Sequence, residues 1–174
     1  MTTEQLEARA AEKWGAKGKG IIEAYRKEYR TATPFQLWAA ASAADWMRLN
    51  AQTLSERKAA QNAAPVYQYI FSWVPPVLDG KPGTYHACEI AYVFDNIDLC
   101  IRQTGAGPVA RAVSTNVSRA WVQLARTGNP NHPGLPHWPA YDTATRAVMF
   151  FDNPSHIKNN PEGEGLRLIR EAIA

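Results

Sequence analysis

The chain has little cysteine, and its two cysteines do not follow a metal-binding pattern. Cys88 and Cys100 are twelve residues apart and are the only two cysteines among 174 residues. Structural zinc sites usually have two to four residues between paired cysteines, so this spacing argues against such a site. We expect two reduced thiols that behave as small apolar side chains, with a disulfide as the less favoured alternative. We expect no bound metal, and we also expect no cofactor.

Concentrated charge and long apolar runs are also missing. The net charge is +3, from 19 lysines and arginines against 16 acidic residues that are interspersed along the chain. No basic run alternates with aromatic residues in a way that would follow phosphates, so we do not expect nucleic-acid binding. The most apolar helical stretch, residues 35–46, is interrupted by Gln36, Ser42 and Asp45 and is too short to span a bilayer. We expect no membrane segment.

The amino terminus lacks the basic start and the apolar middle of a secretory signal. For this reason we favour a cytoplasmic location, while leaving the location open. The length of 174 residues suits one domain or a piece of one, and an apolar fraction of 45% is enough for a core.

Helical signals are frequent. Thr33 with Gln36 forms a capping-box pattern, and Pro34 suits the first helical position, so a long helix should begin there. A later helix should end at Gly128, which can adopt the left-handed conformation of a helix cap. The predicted helices cover residues 3–14, 19–30, 34 towards 57 or 61, 114–127 and 164–173.

Two segments are predicted strands. Residues 65–73 are rich in β-branched and aromatic residues on both faces, as in a strand that helices cover on both sides. Residues 147–152 form a second short apolar run before Asn153-Pro154. The stretch 90–107 should be irregular, with one helical turn near Asp98. The predicted fold class is α/β, mostly helical with two strands, and two strands alone leave such a sheet incomplete.

One histidine stands out by its position after the first predicted strand. His86 follows that strand and its turn-forming exit, residues 75–80, and lies in the stretch Gly83-Thr-Tyr-His-Ala-Cys-Glu-Ile-Ala-Tyr-Val-Phe94. A loop histidine that leaves a hydrophobic strand is where α/β-hydrolases place the proton-shuttling member of a catalytic triad.

Three segments resemble parts of one family. Residues 83–94 resemble the His-Gly-x-Glu-Ile-x-(Phe/Tyr)-Val-Phe segment of type-B carboxylesterases, which include bacterial esterases and the cholinesterases. Residues 121–131, followed by Trp-Pro-Ala-Tyr at 138–141, resemble its Trp-x-x-Phe-Ala-(Lys/Arg)-Thr-Gly-(Asp/Asn)-Pro-Asn block. Residues 148–153 resemble its closing strand. The resemblance covers nearly the whole chain, but only as the C-terminal portion of this α/β-hydrolase family.

The resemblance implies a domain organisation and roles for individual residues. Residues 1–174 would be a single partial α/β-hydrolase domain, with a helical region at 1–62 and the histidine-bearing strand, helices and closing strand at 63–174. His86 would be the triad histidine. Glu89 matches a family glutamate that is a buried carboxylate supporting the local network, with a solvent-exposed charge as the alternative.

Two further features of the resemblance concern the surroundings of His86. Ala87 stands where the family usually has glycine, so we expect it to tighten the backbone of the loop that contains His86. Helices before the histidine strand help to wall an acyl or alcohol pocket in this family. Trp38 and Trp46 are therefore candidates to line that pocket, with packing in the core as the alternative.

The other two triad members are missing from the sequence. A nucleophile elbow requires Gly-x-Ser-x-Gly, and no serine of the chain has a glycine two residues before it. The Glu-Gly steps at 162–165 follow His86, which breaks the Ser…acid…His order, and Asp79-Gly80 is typical of a turn.

We therefore expect a carboxylic-ester hydrolase segment that supplies the triad histidine and is inactive by itself. Its partners would be an ester substrate and the missing N-terminal part of the hydrolase domain. The alternative is a non-catalytic interaction module derived from the same fold.

Overall fold

The computed structural model describes residues 1–174, which form two compact units. The first unit combines Met1–Arg57 with Asn160–Ala174, and the second is Lys58–Asn159. The α-helices are α1 (Thr3–Trp14), α2 (Gly18–Glu28), α3 (Pro34–Ala43), α4 (Leu49–Ala59), α5 (Ile90–Val93), α6 (Ile101–Thr104), α7 (Pro108–Thr127) and α8 (Gly163–Ile173). The strands are β1 (Gln68–Phe71), β2 (Ala147–Phe151) and β3 (His156–Asn159). One partial domain with a division at residue 62 stays a prediction.

Side-chain caps start two helices of the first unit. The backbone N–H of Gln5 donates to Thr2 Oγ1 at 3.2 Å, and the N–H of Thr2 donates to Gln5 Oε1 at 2.9 Å. Thr33 and Gln36 make the same reciprocal pair before α3. This pair confirms the predicted capping box and the helix start at Pro34.

The predicted long helix contains an irregular turn in its middle. α3 passes into a π-helical turn, Ala44–Arg48, and then into α4. A π turn holds more residues than an α turn, so it rotates the residues that follow it relative to those before it. Trp46, in this turn, is 63% exposed. Periodicity could not predict this turn, because the pattern assumes 3.6 residues per turn throughout.

The core of the first unit lies between α1, α2, α3 and α8. Gly165 allows close contact with the ring of Tyr25, since a Cβ at residue 165 would lie 2.4 Å from Tyr25 Cε2. The predicted terminal helix is confirmed, and its apolar face belongs to this core. The buried residues of the core are Leu6, Ala10, Trp14, Ile21, Ile22, Tyr25, Leu37, Ala41, Ala44, Leu49, Leu166 and Ile169.

The second unit contains a three-stranded sheet in the order β1-β2-β3. β1 pairs with β2 in parallel, with Gln68 opposite Val148, and β2 pairs with β3 in antiparallel fashion. All five residues of β2 are buried, which explains its continuous apolar run. The α/β fold class is confirmed, but the count of two strands is corrected to three. β3 has the sequence His-Ile-Lys-Asn and lies at the edge of the sheet. An edge strand needs few apolar residues, so the apolar pattern did not predict it.

Helix α7 packs against this sheet. It begins six residues earlier than predicted, because Pro108 takes the first helical position after the extended Gly107. It ends before Gly128, whose φ of +76° confirms the predicted left-handed cap. The buried cluster of this unit is Tyr92, Ile97, Ala110, Val113, Val117, Ala120, Trp138, Met149 and Phe151. None of the helices of the chain is both long and apolar enough to cross a lipid bilayer.

Candidate active site

His86 lies at the corner of a tight turn that follows the exit from β1. The backbone N–H of Cys88 donates to the carbonyl oxygen of Tyr85 at 3.2 Å, so residues 85–88 form one hydrogen-bonded turn. His86 and Ala87 are its two central residues, and His86 is exposed. The imidazole makes no hydrogen bond or ion pair with another residue of the chain. No group of the chain therefore occupies either nitrogen of the ring.

Hydrogen bonds tie the residues before His86 to the neighbouring backbone. Thr84 Oγ1 contacts the carbonyl oxygens of Ser72 and Trp73 at 3.3 and 3.1 Å, which joins the turn to the end of β1. The hydroxyl of Tyr85 donates to the carbonyl oxygen of Gln103 at 2.9 Å, near the end of α6. The turn is thus attached to two separate segments of the second unit.

Ala87 adopts a backbone conformation that alanine disfavours. Its φ is +65°, in the left-handed region where the Cβ of an L-residue crowds the following carbonyl group. Glycine has no such penalty, so the conformation explains why a glycine suits this position. The effect of Ala87 on the pose of His86 stays a prediction.

Cys88 follows directly and is buried. Burial, with a smaller contribution from the charge of Glu89, raises the pKa of its thiol to about 11. A thiol that stays protonated at neutral pH is a poor nucleophile. Both cysteines of the chain are free, as expected.

Glu89 is half-buried and lies directly before α5. Burial raises the pKa of the Tyr69 phenol on β1, and the negative charge of Glu89 contributes in the same direction. The ring of Tyr69 in turn lies against Phe151 and Trp121, with centroids 5.3 and 6.2 Å away. The support of the histidine turn by the Glu89 carboxylate stays a prediction.

The two candidate tryptophans both belong to the first unit. Trp38 is half-buried, and its ring centroid lies 5.6 Å from that of Trp14 and 5.8 Å from the guanidinium carbon of Arg9. Trp46 is exposed in the π turn. Packing therefore accounts for Trp38, and the lining of a substrate pocket by either residue stays a prediction.

Other polar candidates are spread over the surface. Asp79 is exposed in a turn and pairs with Lys81 at 3.2 Å. His132 Nε2 lies 3.0 Å from the carbonyl oxygen of Asn116, and His137 is exposed. No group of three or more histidine, cysteine, aspartate or glutamate side chains is arranged to hold a metal ion.

A hydrogen-bonded chain behind the histidine turn was not predicted. Trp73 Nε1 donates to the hydroxyl of Tyr92 at 3.1 Å, and that hydroxyl donates to the carbonyl oxygen of Thr104 at 3.2 Å. These two hydrogen bonds link the segment that follows β1 to helices α5 and α6. The bonded residues are far apart in sequence, so no local pattern reveals them, and only the tyrosine within the apolar run at 90–94 signals a buried polar contact.

Comparison with known proteins gives one consistent result. The model of the carboxylesterase family matches residues 6–169. The para-nitrobenzyl esterase of Bacillus subtilis (strain 168) is 36% identical over 106 residues, which are 58% of this chain and 21% of that esterase. Carboxylesterase 1C of Rattus norvegicus is 40% identical over 93 residues, or 51% of this chain and 16% of the relative. The chain thus spans about a fifth of the length of these relatives.

Solved structures agree in fold. The carboxylesterase EST55 of Geobacillus stearothermophilus superimposes with a TM-score of 0.74 at 28% identity, over 92% of this chain and 33% of the esterase. An esterase of Clostridium hathewayi, which can hydrolyse aliphatic aromatic polyesters, gives a TM-score of 0.67 at 20% identity, over 99% of this chain and 33% of its own. The similarity to the second structure is one of fold alone.

Proposed function

This chain belongs to the carboxylesterase family, and from that premise we propose that it is the histidine-bearing segment of a carboxylic-ester hydrolase. His86 is the general base and acid of a serine triad, and residues outside this chain supply the serine and the acid. One observation carries the proposal. His86 is exposed at the corner of an anchored turn, with no partner inside the chain that would occupy its ring.

The chemistry of His86 follows from an imidazole in that position. The ring accepts the proton of the serine hydroxyl as the serine attacks the ester carbonyl, and it returns the proton to the leaving alcohol. General acid–base transfer of this kind contributes about 10²–10⁴-fold to the rate. The substrate class is therefore a small-molecule carboxylic ester.

The partner of the chain is the remaining part of the hydrolase domain. β1 lies at one end of the sheet, and its outer edge has no strand partner within the chain, although parallel strands are normally paired on both sides. Large apolar side chains on either side of His86 in the sequence are also exposed, including Leu78, Phe94 and Leu99, of which Leu99 is 85% exposed. Exposed apolar side chains and an open strand edge are both features that suit a docked protein segment.

A chimera tests the proposal directly. The whole 174-residue chain replaces the segment that it matches in the para-nitrobenzyl esterase of Bacillus subtilis, so that one polypeptide contains the serine, the acid and His86. We expect saturable hydrolysis of p-nitrophenyl acetate, while the chain by itself is no faster than free imidazole. His86→Ala should lower kcat by about 10⁴-fold or more, as loss of a triad member does.

His137→Ala is the matched control, since His137 is an exposed loop histidine outside the turn. It should leave kcat and KM unchanged. A chimera that folds and stays inactive, or one whose activity survives His86→Ala, would contradict the proposal.

The same exposed apolar residues favour a second candidate, a non-catalytic interaction module. This function predicts that the chain docks to the rest of the hydrolase domain and that the complex has no His86-dependent turnover. The chimera therefore distinguishes the two functions by activity, because both predict a folded product.

A further inference from the structure

We propose that Tyr85 is a positioning residue for His86, and that its hydroxyl holds the histidine in a turn that the backbone alone would not favour. The inference rests on the proposed function, because it names a residue that prepares His86 for proton transfer. Tyr85 itself contacts no reacting atom in this scheme and acts only through the geometry of the turn.

The geometry of the turn makes an external anchor necessary. In the hydrogen-bonded turn of residues 85–88, φ is positive only at Ala87, the third residue. A negative φ at the second position and a positive φ at the third are typical of a type II turn, which favours glycine at the third position. Alanine there carries a steric cost, so the isolated turn would relax to another conformation.

Anchors on both sides of the turn oppose that relaxation. After His86, Cys88 is buried and the N–H of Ile90 donates to the carbonyl oxygen of Ala87 at 3.3 Å. Before His86, Thr84 is attached to the end of β1, and Tyr85 reaches across the loop to Gln103. Of these anchors, the Tyr85 hydroxyl is the side-chain contact adjacent to His86 in sequence.

The acceptor of Tyr85 lies on a fixed support. Gln103 is in the last turn of α6, where carbonyl groups have no helical partner and accept other donors. Gly105, which ends α6, lies so close to Pro76 that a Cβ there would be 2.9 Å from Pro76 Cγ. The carbonyl oxygen of Thr104, the last residue of α6, also accepts a hydrogen bond from the hydroxyl of Tyr92. That hydroxyl in turn accepts a hydrogen bond from Trp73 Nε1. The hydrogen bond of Tyr85 therefore links the histidine turn to a packed part of the second unit.

The phenol is in the correct protonation state for this role. Burial raises the pKa of Tyr85, and the neighbouring thiols of Cys88 and Cys100 raise it further. The hydroxyl thus stays protonated and donates at any pH at which an esterase histidine works. Phenylalanine at residue 85 keeps the ring and removes the hydroxyl alone, so Tyr85→Phe isolates this hydrogen bond.

Hydrogen exchange of the 174-residue chain tests the anchor without any need for catalysis. The reporter is the peptide that contains the Cys88 amide, because this N–H closes the turn around His86. Tyr85→Phe should accelerate exchange of that amide about fivefold, the effect of one lost neutral hydrogen bond. In Tyr85→Phe/Ala87→Gly, glycine removes the steric cost and exchange should return towards the wild-type rate.

Tyr29→Phe is the matched control. Tyr29 also donates a hydroxyl hydrogen bond, to Glu162 at 2.5 Å, but it lies in the first compact unit. It should leave exchange at Cys88 unchanged. The positioning role is overturned if Tyr85→Phe has no effect on that amide, if Tyr29→Phe has the same effect, or if glycine at residue 87 does not restore protection.

Kinetics of the esterase chimera supply the second readout. Tyr85→Phe should lower kcat about fivefold with KM unchanged, since a displaced histidine affects proton transfer and not ester binding. If the chimera is inactive while Cys88 exchange still responds to Tyr85→Phe, the proposed function fails and the anchor stands. If the chimera is active and Tyr85→Phe changes neither exchange nor kcat, the anchor fails and the proposed function stands.

Discussion

Arg48 Nε lies 2.8 Å from Glu162 Oε2, and both side chains are largely removed from solvent, with exposures of 17% and 6%. The carboxylate also accepts the hydroxyl of Tyr29 through its other oxygen. Arg48 ends the π turn, and Glu162 precedes α8. This ion pair therefore fastens the last helix of the chain to the helices of the first unit.

Replacing Arg48 with methionine should destabilise the first unit strongly. Arg48→Met keeps much of the side-chain volume but leaves the buried Glu162 carboxylate without its cation. The loss of one partner of a buried pair costs about 3–5 kcal/mol. Urea unfolding followed by circular dichroism measures the change in the free energy of unfolding.

The control for this prediction is Arg111→Met. Arg111 forms a bidentate pair with Asp98 at 2.5 and 2.7 Å, but this pair lies on the surface. Surface pairs contribute little because water screens both charges, so we expect no resolvable loss. Equal losses in the two variants would contradict the role of burial.

Ala87→Gly should stabilise the chain. The left-handed φ of Ala87 costs alanine more than glycine, and the gain exceeds the extra entropy that glycine has in the unfolded state. We expect the free energy of unfolding to rise by about 1 kcal/mol. Ala91→Gly is the opposite case, since Ala91 lies inside helix α5 and glycine there should lower stability by about 1 kcal/mol. Denaturant midpoints of both variants check the sign.

Phe151→Ala should lower stability by about 3–5 kcal/mol, because it opens a cavity in a filled core. Phe151 is fully buried in β2, with ring centroids of Tyr69 and Trp138 at 5.3 and 5.6 Å. Phe94 is 72% exposed, so Phe94→Ala should change the unfolding free energy little. A similar loss at both positions would contradict the described core.

Cys88 should make stability depend on pH above neutrality. Its pKa is raised from 9.0 to about 11 in the folded chain, so the folded state keeps the proton where the unfolded state loses it. The contribution is fully present below pH 9 and is lost as the pH rises towards 11. Cys88→Ala should remove this part of the pH dependence, as measured by denaturant unfolding at a series of pH values.

Local sequence patterns predicted the long helices, whereas α5 and α6 lie in the stretch 90–107, which was expected to be irregular apart from one helical turn. The Thr33–Gln36 capping box, the Pro34 start and the Gly128 cap act within a few residues, so the sequence nearby contains the physical cause. The same holds for β2, whose five consecutive apolar residues require burial on both faces. The strand at β1 was located correctly, although its hydrogen-bonded part is shorter than predicted.

Features that depend on distant residues were not predictable. The π turn at Ala44–Arg48 places Arg48 against Glu162, which is 114 residues away in sequence. The strand β3 forms because its backbone pairs with the edge of β2 in antiparallel fashion. The anchor from Tyr85 to Gln103 requires the loop to fold back on itself.

The sequence by itself determined the position of His86 in a family-like stretch, the lack of a Gly-x-Ser-x-Gly serine and the alternation of helices with two apolar strands. These properties depend on residue identity and on short spacing. Only the tertiary structure decided that His86 is exposed on an anchored turn, that Ala87 is left-handed and that Cys88 is buried. Exposure, backbone strain and burial arise from contacts between segments that are far apart in the chain, and no local pattern contains them.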